Sequence, residues 1–275
     1  MTVAASATMG FRHRDSDQRW PVKPAHRAAP KPVSPWRWFA LLAVVVAFAH
    51  DRLPARLDGS LEARLLRTGS TLVPVHSTFV AWRLILLLLL GYAVFQLAKG
   101  QRTVAVHDLV SKHVVVASLL ASLLLVSPPS IGTTMVPLAT ALAIIAASAY
   151  VRVQSAVVVR RVPSWLGVPF ALLLGFTMIV ALAAIAAAGL PTSIIIVVAS
   201  AVCIATIWSG LHFGEPALPG FVAWIFTSIC AENRSEVGVV SAALLGGGAC
   251  AAVAILIAAT RLASPKPLPR PHRAR

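Results

Sequence analysis

Between residues 36 and 260 the chain runs as a succession of long apolar segments, almost free of charge and separated by short polar breaks. Segments 84–98, 169–189 and 239–260 are apolar on every face, not along one stripe, so none of them offers a side to water. About 20 such residues at roughly 1.5 Å each cross the hydrocarbon core of a bilayer. Hydropathy predicts helices at about 36–50, 78–98, 112–127, 133–151, 166–189, 192–210, 217–231 and 239–260. The breaks have local causes. Ser127-Pro128-Pro129-Ser130 with Gly132 predicts a tight hairpin after the third run, and Gly189-Leu190-Pro191 does the same after the fifth. Gly214-Glu215-Pro216 with Pro219 closes the sixth run, and Glu232-Asn233-Arg234 the seventh.

The pattern predicts an all-α, polytopic transmembrane helix bundle of about eight spans. The first, third and seventh runs are short, at about 15–16 residues, and need bilayer thinning, snorkelling ends or polar extensions. Ala47-Phe48-Ala49 after a basic leader also fits a signal-peptidase site, and cleavage there leaves seven spans. The long, Pro-containing leader favours a retained anchor. In the loop after the first run, Leu57, Leu61 and Leu65 repeat at helical spacing and suit a short interfacial helix.

Charge orients the bundle. With the N-terminus inside, the inside segments hold seventeen Lys and Arg and the outside segments five. That bias predicts both termini inside, with the Glu215 connection as the inside loop that lacks Lys and Arg. The organisation expected is a disordered basic Pro-rich cytoplasmic tail over 1–35, a transmembrane domain over 36–260, and a second disordered basic cytoplasmic tail over 261–275. A multi-pass protein of the cell membrane follows.

Composition agrees: 58% of the 275 residues are hydrophobic, too many for one water-soluble core. The net charge of +15 lies in tails and connections, without a nucleic-acid module beside it, so the partners expected are membrane lipids and not nucleic acid. Cys203, Cys230 and Cys250 are odd in number and lack metal-ligand spacing, which suits buried thiols.

The chemistry offered is sparse. No Asp, Glu or Lys lies at the centre of a predicted span, where an ion-coupled pump or transporter needs one. Arg83 sits near the outer end of the second span and can snorkel. His212 and Glu215 read as loop residues; His76 and His113 flank helix ends. There is no His-Glu-x-x-His, no Gly-x-Ser-x-Gly, no paired carboxylates and no phosphate loop. The reading is of a protein that is not an enzyme, with no metal and no cofactor. Ala242, Gly246 and Cys250 at four-residue spacing predict close helix packing, as do Ala183 and Ala187; a homo-oligomer is left open. Trp82, Trp165, Trp208 and Trp224 near helix ends suit an aromatic belt. Pro137 and Gly91-Tyr92 are the features expected to bend a helix or open space beside one.

Three segments taken in series carry a resemblance. Residues Pro74-Val75-His76-Ser77-Thr78-Phe79-Val80-Ala81-Trp82 resemble the Pro-Ala-Gly-Tyr-Thr-Phe-Ser-Ile-Trp signature of tryptophan-rich sensory proteins, the TspO/MBR group. Val168-Pro169-Phe170-Ala171-Leu172-Leu173-Leu174-Gly175-Phe176 is similar to that group's Leu-Pro-Phe-Ser-Leu-Tyr-Leu-Gly-Trp, and Glu215-Pro216-Ala217 followed by Trp224 to an acidic-Pro-Ala turn and a Trp-bearing helix. The resemblance implies a helical membrane protein that binds a porphyrin or another hydrophobic molecule, porphyrin- or sterol-like, as a sensor or carrier. It implies a ligand pocket between helices that includes Phe79, Trp82, Phe170 and Phe176. The chain departs from the group at Leu86, Leu173, Phe176 and Ala184, where the group has Tyr, Tyr, Trp and Asn, so any site is more apolar and suits a lipid-like ligand. The readings from other classes are a non-catalytic scaffold or accessory subunit and an uncoupled small-solute permease.

Overall fold

Eight α-helices and two short 3-10 turns form almost all of what the computed structural model describes, which is residues 32–52, 76–126, 132–232 and 237–263. The helices are α1 (Pro35–Arg52), α2 (His76–Phe95), α3 (Ala105–Val126), α4 (Gly132–Val158), α5 (Gly167–Ala187), α6 (Thr192–Phe213), α7 (Ala217–Glu232) and α8 (Val237–Ala263). No strand occurs among the described residues. The Leu57–Leu61–Leu65 repeat, the hairpin around Pro128 and Pro129, and most of both tails lie outside them.

All eight apolar runs fold as helices, and five are long and apolar enough to cross a membrane: Ala105–Leu124, Met135–Val158, Ser164–Ala187, Thr192–Phe213 and Val240–Ala263. The apolar parts of α2 and α7 are shorter, Val80–Phe95 and Ala217–Ala231. The third helix corrects the expectation of a short run. It begins at Ala105, not near residue 112, and has 22 residues. Helix α4 likewise continues to Val158, past the predicted end near 151, and keeps Pro137 inside it. Both extensions recruit polar residues that hydropathy assigns to loops. In α3 the side chains of His107, Asp108 and Ser111 meet partners inside the protein, and in α4 Arg152 and Ser155 face outward while Gln154 is buried, so the helical backbone bonds are kept.

Helix α5 is the centre, packing against α2, α4, α6 and α7. This explains its lack of a polar face: its buried residues include Phe170, Leu173, Phe176, Ile179 and Ala183, which lie on several sides. Around it α1 packs with α2 and α3, α3 with α4, α7 with α8, and α8 with α6. The predicted small-residue seam forms between the last two. A Cβ added at Gly246 would lie 2.6 Å from Cys203 Sγ, so the missing side chain is what lets these helices meet.

Two glycine breaks end helices as predicted. Gly189 (φ +76°) follows the end of α5, and Gly214 (φ +62°) caps α6, its N–H bonded to Gly210 O. The starts of α1, α3, α5 and α7 and the ends of α2, α4, α6 and α8 lie at one end of the bundle, called here the proximal end. Arg37 on α1 bonds to Gln96 and Asp108 there, while Arg83 meets Asp51 at the other.

Candidate functional site

Helix α2 has two faces with different fates. Trp82, Ile85, Leu86, Leu89, Tyr92, Ala93 and Gln96 recur at helical spacing and are buried against the bundle. On the inward face Trp82 stacks on Phe176 of α5, with ring centroids 5.0 Å apart and planes 23° from parallel. Tyr92 meets Phe170 edge-on at 4.9 Å. Three of the four residues singled out in the sequence therefore lie along the α2–α5 contact. They pack against other protein rings, and the side chain of Phe79 is outside the described residues. Trp82 is also buried and not a belt residue, and its Nε1 has no hydrogen-bond partner. Trp165, Trp208 and Trp224 are exposed, as a belt requires.

The neighbouring face of α2 is open. Leu87, Leu88, Gly91, Val94 and Phe95 line a groove of about 520 Å³ whose other wall is Trp165, Val168 and Pro169 at the start of α5. That volume is within the roughly 300–1,000 Å³ of small-molecule sites. A Cβ at Gly91 would meet nothing within 4 Å, so the glycine widens the groove instead of admitting a neighbouring helix. At the proximal end Phe95 packs edge-on against Trp165, with centroids 5.0 Å apart.

At the proximal end a buried polar cluster fastens the starts of α1 and α3 to the end of α2. Arg37, only 1% exposed, donates from Nε to Asp108 Oδ1 (2.6 Å). From Nη1 it donates to the carbonyls of Gln96 (3.0 Å) and Gln101 (2.9 Å), and from Nη2 to those of Arg102 (3.3 Å) and Val104 (3.2 Å). All five guanidinium donors are thereby used. Gln96 returns a bond from Nε2 to Arg37 O (3.3 Å), and Ser111 donates to Gln96 Oε1 (2.7 Å). His107 lies between Tyr92 Oη at 3.2 Å and Gln101 Oε1 at 3.1 Å. Such saturation of the guanidinium describes a clasp that ties three helices together.

The α5 motif also has a packing reason. A Cβ on Gly175 would come within 2.8 Å of Phe221 Cδ1 on α7. With this close crossing and the α2–α5 aromatic contact in place, the segments that resemble the tryptophan-rich sensory proteins are the ones that assemble the core. A model of the TSPO-like protein family matches residues 37–259. The chain belongs to the TSPO-like family. No curated protein and no solved structure matches it.

The TSPO-like chain has a second pocket at the proximal end that sequence reasoning missed. About 310 Å³ in volume, it is lined by Gln154 and Val157 of α4, Ser164, Trp165 and Val168 leading into α5, Glu215, Pro216 and Ala217, and Arg261 on the last turn of α8. Arg261 belongs to this helix, which runs past the predicted end near residue 260. Glu215, read as a loop residue, is 5% exposed, and its carboxylate accepts from the N–H groups of Ala217 (2.8 Å) and Leu218 (3.2 Å), capping α7. Burial pushes its carboxyl above the usual carboxylate range, against the opposing pull of those N–H groups and of Arg261. The signal available was the acidic-Pro-Ala turn itself; Gln154 and Arg261 join it only through the fold.

Proposed function

We propose that this TSPO-like membrane protein holds a hydrophobic, lipid-like ligand between α2 and α5 and acts as a non-catalytic sensor or carrier in the cell membrane. The observation that carries the reading is the groove at Gly91: apolar, open, and walled by the two helices whose motifs place the chain in its family. Lipid is favoured over porphyrin by what fills the positions where the resembled group has polar side chains. Leu86, Leu173 and Ala184 are all buried in apolar packing and offer a tetrapyrrole neither a hydrogen bond nor an aromatic face. Trp82, Phe170 and Phe176 form the packed layer behind the groove, and their role is to keep its wall rigid.

The test is equilibrium binding of a photoreactive single-chain lipid and of a porphyrin to the protein in detergent, with the cross-linked peptide mapped. Saturable lipid labelling of segment 87–95 or 165–169, lost in Gly91→Trp, is the expected result. A Cβ at that position meets nothing within 4 Å, and thermal unfolding in detergent checks that the variant keeps its fold. Labelling unchanged by Gly91→Trp, or saturable binding of porphyrin alone, overturns the proposal.

A further inference from the structure

The polar pocket and the apolar groove share two lining residues, Trp165 and Val168, so they adjoin at those side chains. One is a greasy channel along the membrane-facing side of α2 and α5; the other is a polar chamber at its proximal end. Beyond the α7 cap that Glu215 makes, the chamber holds polar groups that the protein does not pair with one another. Glu215 and Arg261 line the same space without forming an ion pair with each other. Gln154 is 1% exposed, and its side-chain Nε2 is buried without a hydrogen-bond partner. An amide in that condition is destabilising unless something satisfies it. Tyr150, one turn earlier on α4, is also buried with an unpartnered hydroxyl, and both Glu215 and Arg261 act on it electrostatically.

A carboxylate and a guanidinium that face one cavity but do not meet each other are complementary to a ligand with both charges. We propose that this pocket is a headgroup site for a phospholipid bearing a primary ammonium. The ammonium sits on Glu215, the phosphate between Arg261 and the Gln154 amide, and the acyl chain runs past Trp165 into the groove. The inference rests on the groove reading for its tail and adds the class of head. About 310 Å³ holds on the order of ten water-sized groups at roughly 30 Å³ each, which suits a phosphoethanolamine head. A primary ammonium is preferred to a quaternary one because it alone donates hydrogen bonds to the Glu215 oxygens.

The experiment measures binding of short-chain phosphatidylethanolamine, phosphatidylcholine and phosphatidylglycerol, and of free phosphoethanolamine, to the delipidated full-length protein in detergent. Phosphatidylethanolamine should bind about tenfold more tightly than the other two lipids, the difference expected of a charge-assisted hydrogen bond. Glu215→Gln should bring that preference close to one. Arg261→Ala, at an exposed position that does not endanger the fold, should weaken phosphatidylethanolamine and phosphatidylglycerol alike. Equal affinity for the three lipids in the native protein overturns the headgroup site. If Gly91→Trp still abolishes binding in that case, the groove reading stands without it. Free phosphoethanolamine binding as tightly as the lipid, and indifferently to Gly91→Trp, overturns the lipid assignment in favour of a soluble zwitterion.

Discussion

Arg37 and Asp108 are joined from Nε to Oδ1 at 2.6 Å across 71 residues of sequence, and the two ends of that bond are not equivalent. The Arg37 side chain is 1% exposed and the Asp108 side chain 43%. Asp108 is therefore open to solvent, whereas Arg37 is enclosed by protein. Removing the arginine also strips a donor from four backbone carbonyls at once.

Arg37→Ala should accordingly lose about 3–5 kcal/mol of stability, the usual cost of breaking a buried charged contact. Arg37→Lys should recover little of this, because a point charge cannot present five donors in a planar fork. Asp108→Asn keeps an acceptor at a partly solvated position and should cost about 1 kcal/mol or less. Thermal unfolding in detergent, followed by fluorescence, ranks the three. Equal losses in Arg37→Ala and Asp108→Asn would show that the salt bridge, not the carbonyl cage, is what matters.

The same pair shows where the sequence was legible and where it was not. Every apolar run was found, because a helix that must satisfy its own backbone in lipid announces itself residue by residue. The start of α3 and the end of α4 are hidden from hydropathy, at α3 because polarity is satisfied at long range. His107, Asp108 and Ser111 look like a loop until Arg37, Gln96 and Tyr92 are brought beside them. Arg37 looks like an interfacial cation for the same reason. Trp82, Phe170 and Phe176 share the α2–α5 contact, but periodicity does not say which face of α2 is filled and which is left open. Gln154, Glu215 and Arg261 come from three separate connections or helix ends, and no spacing rule unites them.

Gly175 sits where α5 crosses α7, and a side chain there would overlap Phe221. Gly175→Val should destabilise the protein by about 1–3 kcal/mol through overpacking. The double variant Gly175→Val, Phe221→Ala should be more stable than the sum of the two single changes predicts, because the second makes room for the first. Strict additivity in a double-mutant cycle would mean that the crossing is not where the strain falls.

Trp82 separates stacking from hydrogen bonding. Trp82→Phe keeps a ring against Phe176 and removes an indole N–H that is buried without a partner. The lost area and the relieved donor oppose each other at about 1–3 kcal/mol each, so this variant should lie close to the native stability. Trp82→Ala loses both ring and area and should cost about 3–5 kcal/mol. Comparable melting losses for the two variants would show that the N–H has a partner in the membrane after all.

Glu215 gives the protein a pH dependence whose sign is fixed by its surroundings. Burial raises its carboxyl above the unfolded value of about 4.3, so over the window between the two the folded protein binds more protons than the unfolded chain. Stability from this group is complete below that unfolded value and is lost as pH rises through the folded one, which is the reverse of a salt-bridged carboxylate. Melting temperatures of the native protein should therefore fall relative to those of Glu215→Gln as pH increases from about 4.3 into the neutral range. An ammonium ligand on Glu215 must oppose the trend, since it binds the ionised form. Added short-chain phosphatidylethanolamine should raise the melting temperature more at neutral pH than at pH about 4.3, and in the native protein more than in Glu215→Gln. A native curve parallel to that of Glu215→Gln, with and without the lipid, would remove Glu215 from both roles.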